Sequence, residues 1–255
     1  MDGLLITILI VTGFLVYKMI SSSRKQEGYK RWKATGSGDT ANEETAGNKW
    51  KHGAWLRHAL GVTTPKARTY PVFDEEAVVW CAGLLGVEAV RLKEILQDVS
   101  SHYREFWIRK RKGGYRMISA PDKELKSIQD TIYHRILLPV NVHPVATGFR
   151  RQHSIVDNVR PHLGKRCVLK TDIHDFFLSI RSPRVKQTFE NIGYPKNISK
   201  VLGELCCRRR HLPQGASTSP ALSNIIAYEM DRKLAAMAEE FGLAYTRYAD
   251  DLTFS

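Results

Sequence analysis

Cysteine is scarce in this 255-residue chain, limited to Cys81, Cys167, Cys206 and Cys207 with no CxxC spacing. That spacing argues against a zinc ribbon, and the adjacency of Cys206 and Cys207 argues against a disulfide framework. Buried free thiols in a reducing compartment are the expectation. Acidic residues are outnumbered, 26 Asp and Glu against 39 Lys and Arg, for a net charge of +13 and a pI near 9.6. This balance points to a polyanionic partner, either nucleic acid or an anionic membrane surface. A small-residue cleavage pattern is missing after the apolar run Leu4 to Ile20, which argues against a removable signal peptide.

That run sits at the short end of the roughly 17–25 residues a membrane-spanning helix needs. Arg24, Lys25, Lys30, Arg31 and Lys33 follow it, while Asp2 alone precedes it. The positive-inside rule then leaves the remainder in the cytoplasm. The expectation is an inner-membrane anchor over 1–22, with a misplaced start codon or an unrelated leader as the alternative. Residues 23–50 are polar and rich in Gly, Ser, Thr and Glu, a composition that buries no core and reads as a flexible linker. Residues 51–100 read as an N-terminal helical region, with a break at Gly83 and Gly86. The hydrophobic fraction of 43% suits a folded domain over the remainder, 101–255.

Within that domain, Tyr103–Ile108 and Tyr115–Ser119 are β-type runs around Arg109-Lys-Arg-Lys-Gly-Gly114, a hairpin with a basic turn. Asp122 to Leu138 reads as a helix closed by Pro139, with Leu125, Ile128, Ile132 and Ile136 on one face. Cys167 to Ile173 is a β-rich run that delivers Asp172 at its end. A Gly-containing loop, His211-Leu-Pro-Gln-Gly-Ala-Ser-Thr-Ser-Pro220, leads into a helix with Ser219 as N-cap and Pro220 as its first residue. That helix carries a buried stripe of Leu222, Ile225, Ile226, Met230, Leu234, Met237 and Phe241 and ends at Gly242. Tyr245 to Ser255 reads as a short hairpin with Asp250 and Asp251 at its tip. Adjacent carboxylates repel, so one tends to be protonated unless a cation neutralises both. An acidic turn in water is the alternative.

Three segments in this order, "TDIHDFF" from Thr171, "LPQGASTSP" from Leu212 and "YADD" from Tyr248, resemble motifs A, B and C of reverse transcriptases. The flavour is similar to the bacterial retron type. "GGYRMISAP" resembles its fingers motif, Thr147–Ile155 its "GFxxxxSI" segment, and Asn158-Val-Arg-Pro-His162 its "NAxxH" element, with Val159 in place of Ala. The resemblance implies an α+β fold, the fingers and palm of a right-hand polymerase. Its ferredoxin-like antiparallel sheet would be packed with helices, the thumb being absent because the chain is apparently truncated after YADD.

It also implies an RNA-directed DNA polymerase. Asp172, Asp250 and Asp251, with the backbone carbonyl of Ile173, would hold two Mg2+ ions, for which Mn2+ can substitute. Arg116, with Lys110 or Lys112, would meet the nucleotide triphosphate. Phe177 matches the steric-gate position, with a core aromatic as the alternative, and Gln214 and Gly215 would lie beside the nucleotide. Asp175 is the second motif-A carboxylate, or else an N-cap. Arg150 and Arg151 would meet template phosphates, and Arg208, Arg209 and Arg210 are a candidate nucleic-acid contact or a solvated loop. For His162 a structural role is expected. The implied partners are an RNA template and primer, the RNA–DNA hybrid, dNTPs, the membrane and an unidentified effector protein, in a setting of anti-phage defence. A group II intron or diversity-generating reverse transcriptase is the near alternative. A truncated, catalytically inactive membrane-tethered nucleic-acid-binding module is the distant one.

Overall fold

A computed structural model describes residues 72–110 and 113–255. Asp74 opens the first helix, α1 (Glu75–Leu85), by accepting a hydrogen bond from the Ala77 amide at 2.9 Å. Gly86 closes it in the left-handed conformation at φ 71°, which a residue without Cβ adopts at little cost. The break therefore falls at Gly86, while Gly83 stays inside the helix. α2 (Ala89–Gln97) follows and buries Leu92, Ile95 and Leu96. A single 3-10 turn, Val99–His102, then leads into β1 (Tyr103–Arg109). β1 pairs antiparallel with β2 (Tyr115–Pro121) in a two-stranded sheet of its own, with Trp107 opposite Met117 and Ile108 opposite Arg116.

Asp122 caps α3 (Lys123–Ile132) through the Leu125 amide at 2.9 Å. The helical pattern expected through Leu138 is present, but its last part, Tyr133–Leu137, widens into a π-helical turn. After α4 (Ile155–Val159), with a capping box between Ser154 and Asp157, comes β3 (Leu169–Asp172). The one-turn α5 (Phe176–Ser179), α6 (Ser182–Ile192) and α7 (Lys196–Leu205) follow. α8 (Ser219–Glu240) runs for 22 residues, and β4 (Tyr245–Tyr248) and β5 (Asp251–Phe254) end the chain. Thr218 is the N-cap of α8, so Ser219 and Pro220 both lie inside it.

A second sheet has the order β3-β5-β4, all antiparallel, with β5 in the middle. Among the described residues it is three-stranded, where a ferredoxin-like sheet is expected. The β1–β2 hairpin forms a separate sheet and meets the loop before α8 through a hydrogen bond from the Ser119 amide to the Gln214 carbonyl. The main core gathers the inward faces of α1, α2, α3, α6, α7 and the start of α8. A smaller cluster beneath the sheet joins Tyr245, Phe254 and Ala238, where the Tyr245 and Phe254 rings stack at 4.7 Å between directly paired residues. Cys81, Cys206 and Cys207 are buried free thiols, and burial pushes Cys81 and Cys206 up to about 12. Cys167 departs from the expectation and is exposed, because it precedes β3 rather than lying in it.

The expected linker, and the helical pattern from 51 to 71, fall outside the described residues. So does the expected transmembrane anchor over 1–22. Among the described residues no helix is long and apolar enough to cross a membrane. The longest, α8, interrupts its apolar stripe with charged and polar side chains. The expectation of an inner-membrane anchor, and the localisation drawn from it, finds no support among the described residues.

Candidate active site

β3 and β5 bring the acidic residues of two distant segments to one edge. Asp172, the last residue of β3, lies directly opposite Asp251, the first of β5. The Ile173 amide donates to the Asp250 carbonyl at 2.8 Å, which locks the end of β3 onto the β4–β5 turn. Paired residues in an antiparallel sheet have Cα atoms about 4.5–5.5 Å apart, which brings Asp172 and Asp251 within side-chain reach, and Asp250 is the neighbouring residue in the turn. In their present rotamers they do not converge. Among the described residues no three His, Cys, Asp or Glu side chains form a ready cluster for a metal ion. Asp251 Oδ2 instead meets Lys170 Nζ at 3.0 Å, a pair whose side chains are 38% and 62% exposed. An ion pair that open to water is worth about 0–1 kcal/mol, so a dication can displace it. Three exposed or half-exposed carboxylates are the oxygen donors that a hard cation such as Mg2+ takes.

The turn itself is strained. Tyr248 pairs with Asp251 across two residues, and Ala249 has φ 58°, a region that favours glycine. Its hold comes from residues that sequence reasoning passed over. Arg247, fully buried, donates from Nε and Nη2 to the two oxygens of Asp231 at 2.8 and 2.6 Å. Its Nη1 donates to Asn224 Oδ1 at 3.0 Å and to the Ala249 carbonyl at 2.9 Å. Asn224 Nδ2 in turn donates to the Gly148 carbonyl at 2.9 Å. Tyr245 Oη donates to Asp231 at 3.0 Å, and burial, reinforced by Asp231, raises the Tyr245 phenol. The available signal was Asn224 and Asp231, two polar residues seven apart on an otherwise apolar helix stripe, with an Arg on the following strand.

Residues 145–149 brace the same turn from the other side. Arg247 and Val145, and Thr147 and Arg247, are joined by backbone hydrogen bonds of 2.8 Å. A Cβ on Gly148 would lie 2.5 Å from the Ala249 nitrogen. Phe149 then meets Phe177 at 6.0 Å between ring centroids, and Phe177 meets Phe176 at 5.6 Å. Phe176 is buried, and Phe177 is only partly so. Asp175 is the N-cap of α5 in a left-handed conformation, makes no side-chain cap bond, and meets His174 Nδ1 at 3.3 Å.

Gln214 and Gly215 join the hairpin to the palm. The Ser119 amide donates to the Gln214 carbonyl at 2.8 Å, and a Cβ on Gly215 would meet Ser119 O and Ile118 Cγ2, each at 2.9 Å. Arg116, two residues before Ile118 on β2, shares its face and is exposed, as is Lys110. Lys112 lies outside the described residues. Arg151 is exposed, whereas Arg150 turns inward and donates to the Ala146 carbonyl at 3.2 Å.

The three consecutive arginines separate. Arg208 pairs with Glu105, donates to Ser119 Oγ at 3.2 Å, and has a side chain only 9% exposed. Its guanidinium holds the Glu105 carboxyl below the usual carboxylate range, with help from Arg209. Arg209 and Arg210 form the tip of a tight two-residue turn, both with positive φ, and are exposed.

His162 is buried between Ser255 Oγ, 2.8 Å from Nδ1, and Thr246 Oγ1, 2.8 Å from Nε2. Thr246 Oγ1 also donates to the Asn158 carbonyl, and Thr147 Oγ1 to Asn158 Oδ1. Asn158 and His162 thus anchor β4 from the face opposite Asp231. Burial, with Lys165 nearby, lowers the His162 pKa from its ordinary 6.5.

The model of the reverse transcriptase (RNA-dependent DNA polymerase) family matches residues 108–255. The Retron Ec86 reverse transcriptase of Escherichia coli is 38% identical over 173 residues, covering 67% of this chain and 53% of that protein. The Retron Mx162 reverse transcriptase of Myxococcus xanthus is 32% identical over 91% of this chain and 52% of its own length. The chain thus spans about half the length of these relatives. The chain belongs to the reverse transcriptase (RNA-dependent DNA polymerase) family and is of the retron type.

Proposed function

We propose that this chain carries the fingers and palm of an RNA-directed DNA polymerase that transfers nucleotides from dNTPs to a primer hydroxyl on an RNA template. The observation that carries the reading is the facing pair Asp172 and Asp251, locked to Asp250 by the Ile173 amide. In this reading Asp172 and Asp250 are the principal carboxylate ligands of two Mg2+ ions, with the Ile173 carbonyl as a further oxygen. Asp251 contributes once released from Lys170. When bound, such a pair of ions lowers the pKa of the primer hydroxyl and neutralises charge on the triphosphate.

The rest of the work falls to positioning. Arg116 and Lys110 extend from the hairpin as free cations for triphosphate oxygens, a task suited to the planar fork of Arg. Phe177, held between Phe149 and Phe176, crowds the sugar and disfavours a 2′-hydroxyl. Gln214 and Gly215 border the nucleotide, where the tight approach to Ser119 leaves no room for a side chain. Arg151, Arg209 and Arg210 offer open guanidinium groups to template or primer phosphates. The test is incorporation of deoxynucleotides on a primed RNA template by the chain and by its Asp250→Asn variant. Incorporation lost in the variant supports the reading, and incorporation that survives it refutes it.

A further inference from the structure

The strain at Ala249 needs a cause. A two-residue hairpin turn with positive φ at its first central position ordinarily takes glycine there. Alanine in that conformation persists only where the surroundings over-determine it. The group that does so is the Arg247 guanidinium. Arg247 Nη1 reaches the Ala249 carbonyl at 2.9 Å, and the other arms of the guanidinium are fixed to Asp231 and Asn224 on α8.

We propose that Arg247 is a positioning residue for the carboxylate turn, transmitting the rigid geometry of α8 through its guanidinium to the backbone that carries Asp250 and Asp251. The proposal rests on the reading of those carboxylates as metal ligands. A buried ion pair is a costly way to obtain stability, since well-packed apolar residues of similar volume do as well or better. What the pair supplies is direction. Four hydrogen bonds from one planar group tie two helix side chains to the carbonyl that immediately precedes Asp250. The second tie, from the Ile173 amide to the Asp250 carbonyl, fixes the turn to β3 but leaves Ala249 free to relax. The Ala249 carbonyl has Arg247 as its holder, and Gly148 packs the neighbouring amide from outside.

The test uses the whole chain, Mn2+ alone as probe, and amide hydrogen exchange of segment 248–252 as a second readout. In the double variant R247M/D231L the ion pair becomes apolar at similar volume, and circular dichroism matched to the wild type verifies the fold before binding and exchange are read. The expected result is about tenfold weaker Mn2+ binding and at least about tenfold faster exchange of 248–252, with the rest of the sheet unchanged. Wild-type exchange over 248–252 in this variant overturns the proposal. Ala249→Gly serves as a second variant that relieves the strain and carries no risk to folding. With Arg247 present it should keep Mn2+ affinity and exchange within about twofold of wild type. Loosening of the turn in Ala249→Gly means the alanine itself, rather than Arg247, sets the geometry, and likewise overturns the proposal. Asp172→Ala separates the two readings. Mn2+ binding that is unchanged in it removes the metal-ligand reading, and amide exchange in R247M/D231L then decides the role of Arg247 by itself.

Discussion

Replacing Gly148 by alanine places one methyl group against the backbone of the candidate catalytic turn. The added Cβ would stand 2.5 Å from Ala249 N, 3.1 Å from Tyr248 C and 3.2 Å from Tyr248 Cα. An ordinary contact needs about 3.5 Å or more, so the turn or the 147–149 segment must open by roughly 1 Å. Every opposing atom is backbone, and the turn is pinned behind by Arg247 and in front by β3, so neither side has slack. Overpacking of this kind costs about 1–3 kcal/mol. For a domain of this size that corresponds to a fall of roughly 2–12 °C in thermal midpoint, at 2–4 °C per kcal/mol. A displacement near 1 Å at positioned catalytic groups is worth on the order of 100-fold in rate. Mn2+ affinity and the thermal midpoint are read together. Gly83→Ala is the control, because a Cβ there, inside α1, meets nothing within 4 Å. The helix propensity gained there is about 1 kcal/mol. Wild-type melting and metal affinity in Gly148→Ala would refute the packing argument.

Two further outcomes follow from single contacts. Lys170→Met frees Asp251 from its competing cation and should tighten Mn2+ binding up to about fivefold, the limit set by an exposed pair worth at most about 1 kcal/mol. Weaker binding would mean that the Lys170 charge supports the metal site instead of competing with the metal for Asp251. The folded His162 has a pKa below its ordinary 6.5, so its neutral form is the one the fold favours. Its contribution to stability is complete above pH 6.5 and is lost as pH falls from there through the depressed folded value. Thermal melts from pH 8 to pH 5 should show this loss in the wild type and a smaller one in His162→Gln.

Local signals made much of the framework legible. Asp74 and Gly86 mark both ends of α1 because capping and left-handed glycine are chemistry of neighbouring residues. The β-type runs Tyr103–Ile108 and Tyr115–Ser119 around Gly113 and Gly114 give a hairpin for the same reason, and Asp172 does end a strand. The charged network behind the turn was not legible. Arg247 lies 16 residues from Asp231 and 23 from Asn224, and hydrophobic periodicity reports which face is buried, not which polar groups meet there. Phe241, expected in the stripe of α8, is instead 50% exposed, because it is the C-cap and lies past the last helical residue, Glu240. Arg208 looked like its two neighbours in sequence, and only the approach of Glu105 on β1 turns it inward. The anchor expectation rested on one apolar run, which lies outside the described residues and finds no support among them.

The most direct test of the carboxylate site is a Mn2+ titration of the chain and of its Asp172→Ala variant, detected by electron paramagnetic resonance. The account predicts saturable binding in the wild type that disappears in Asp172→Ala. Binding that persists in the variant would contradict it.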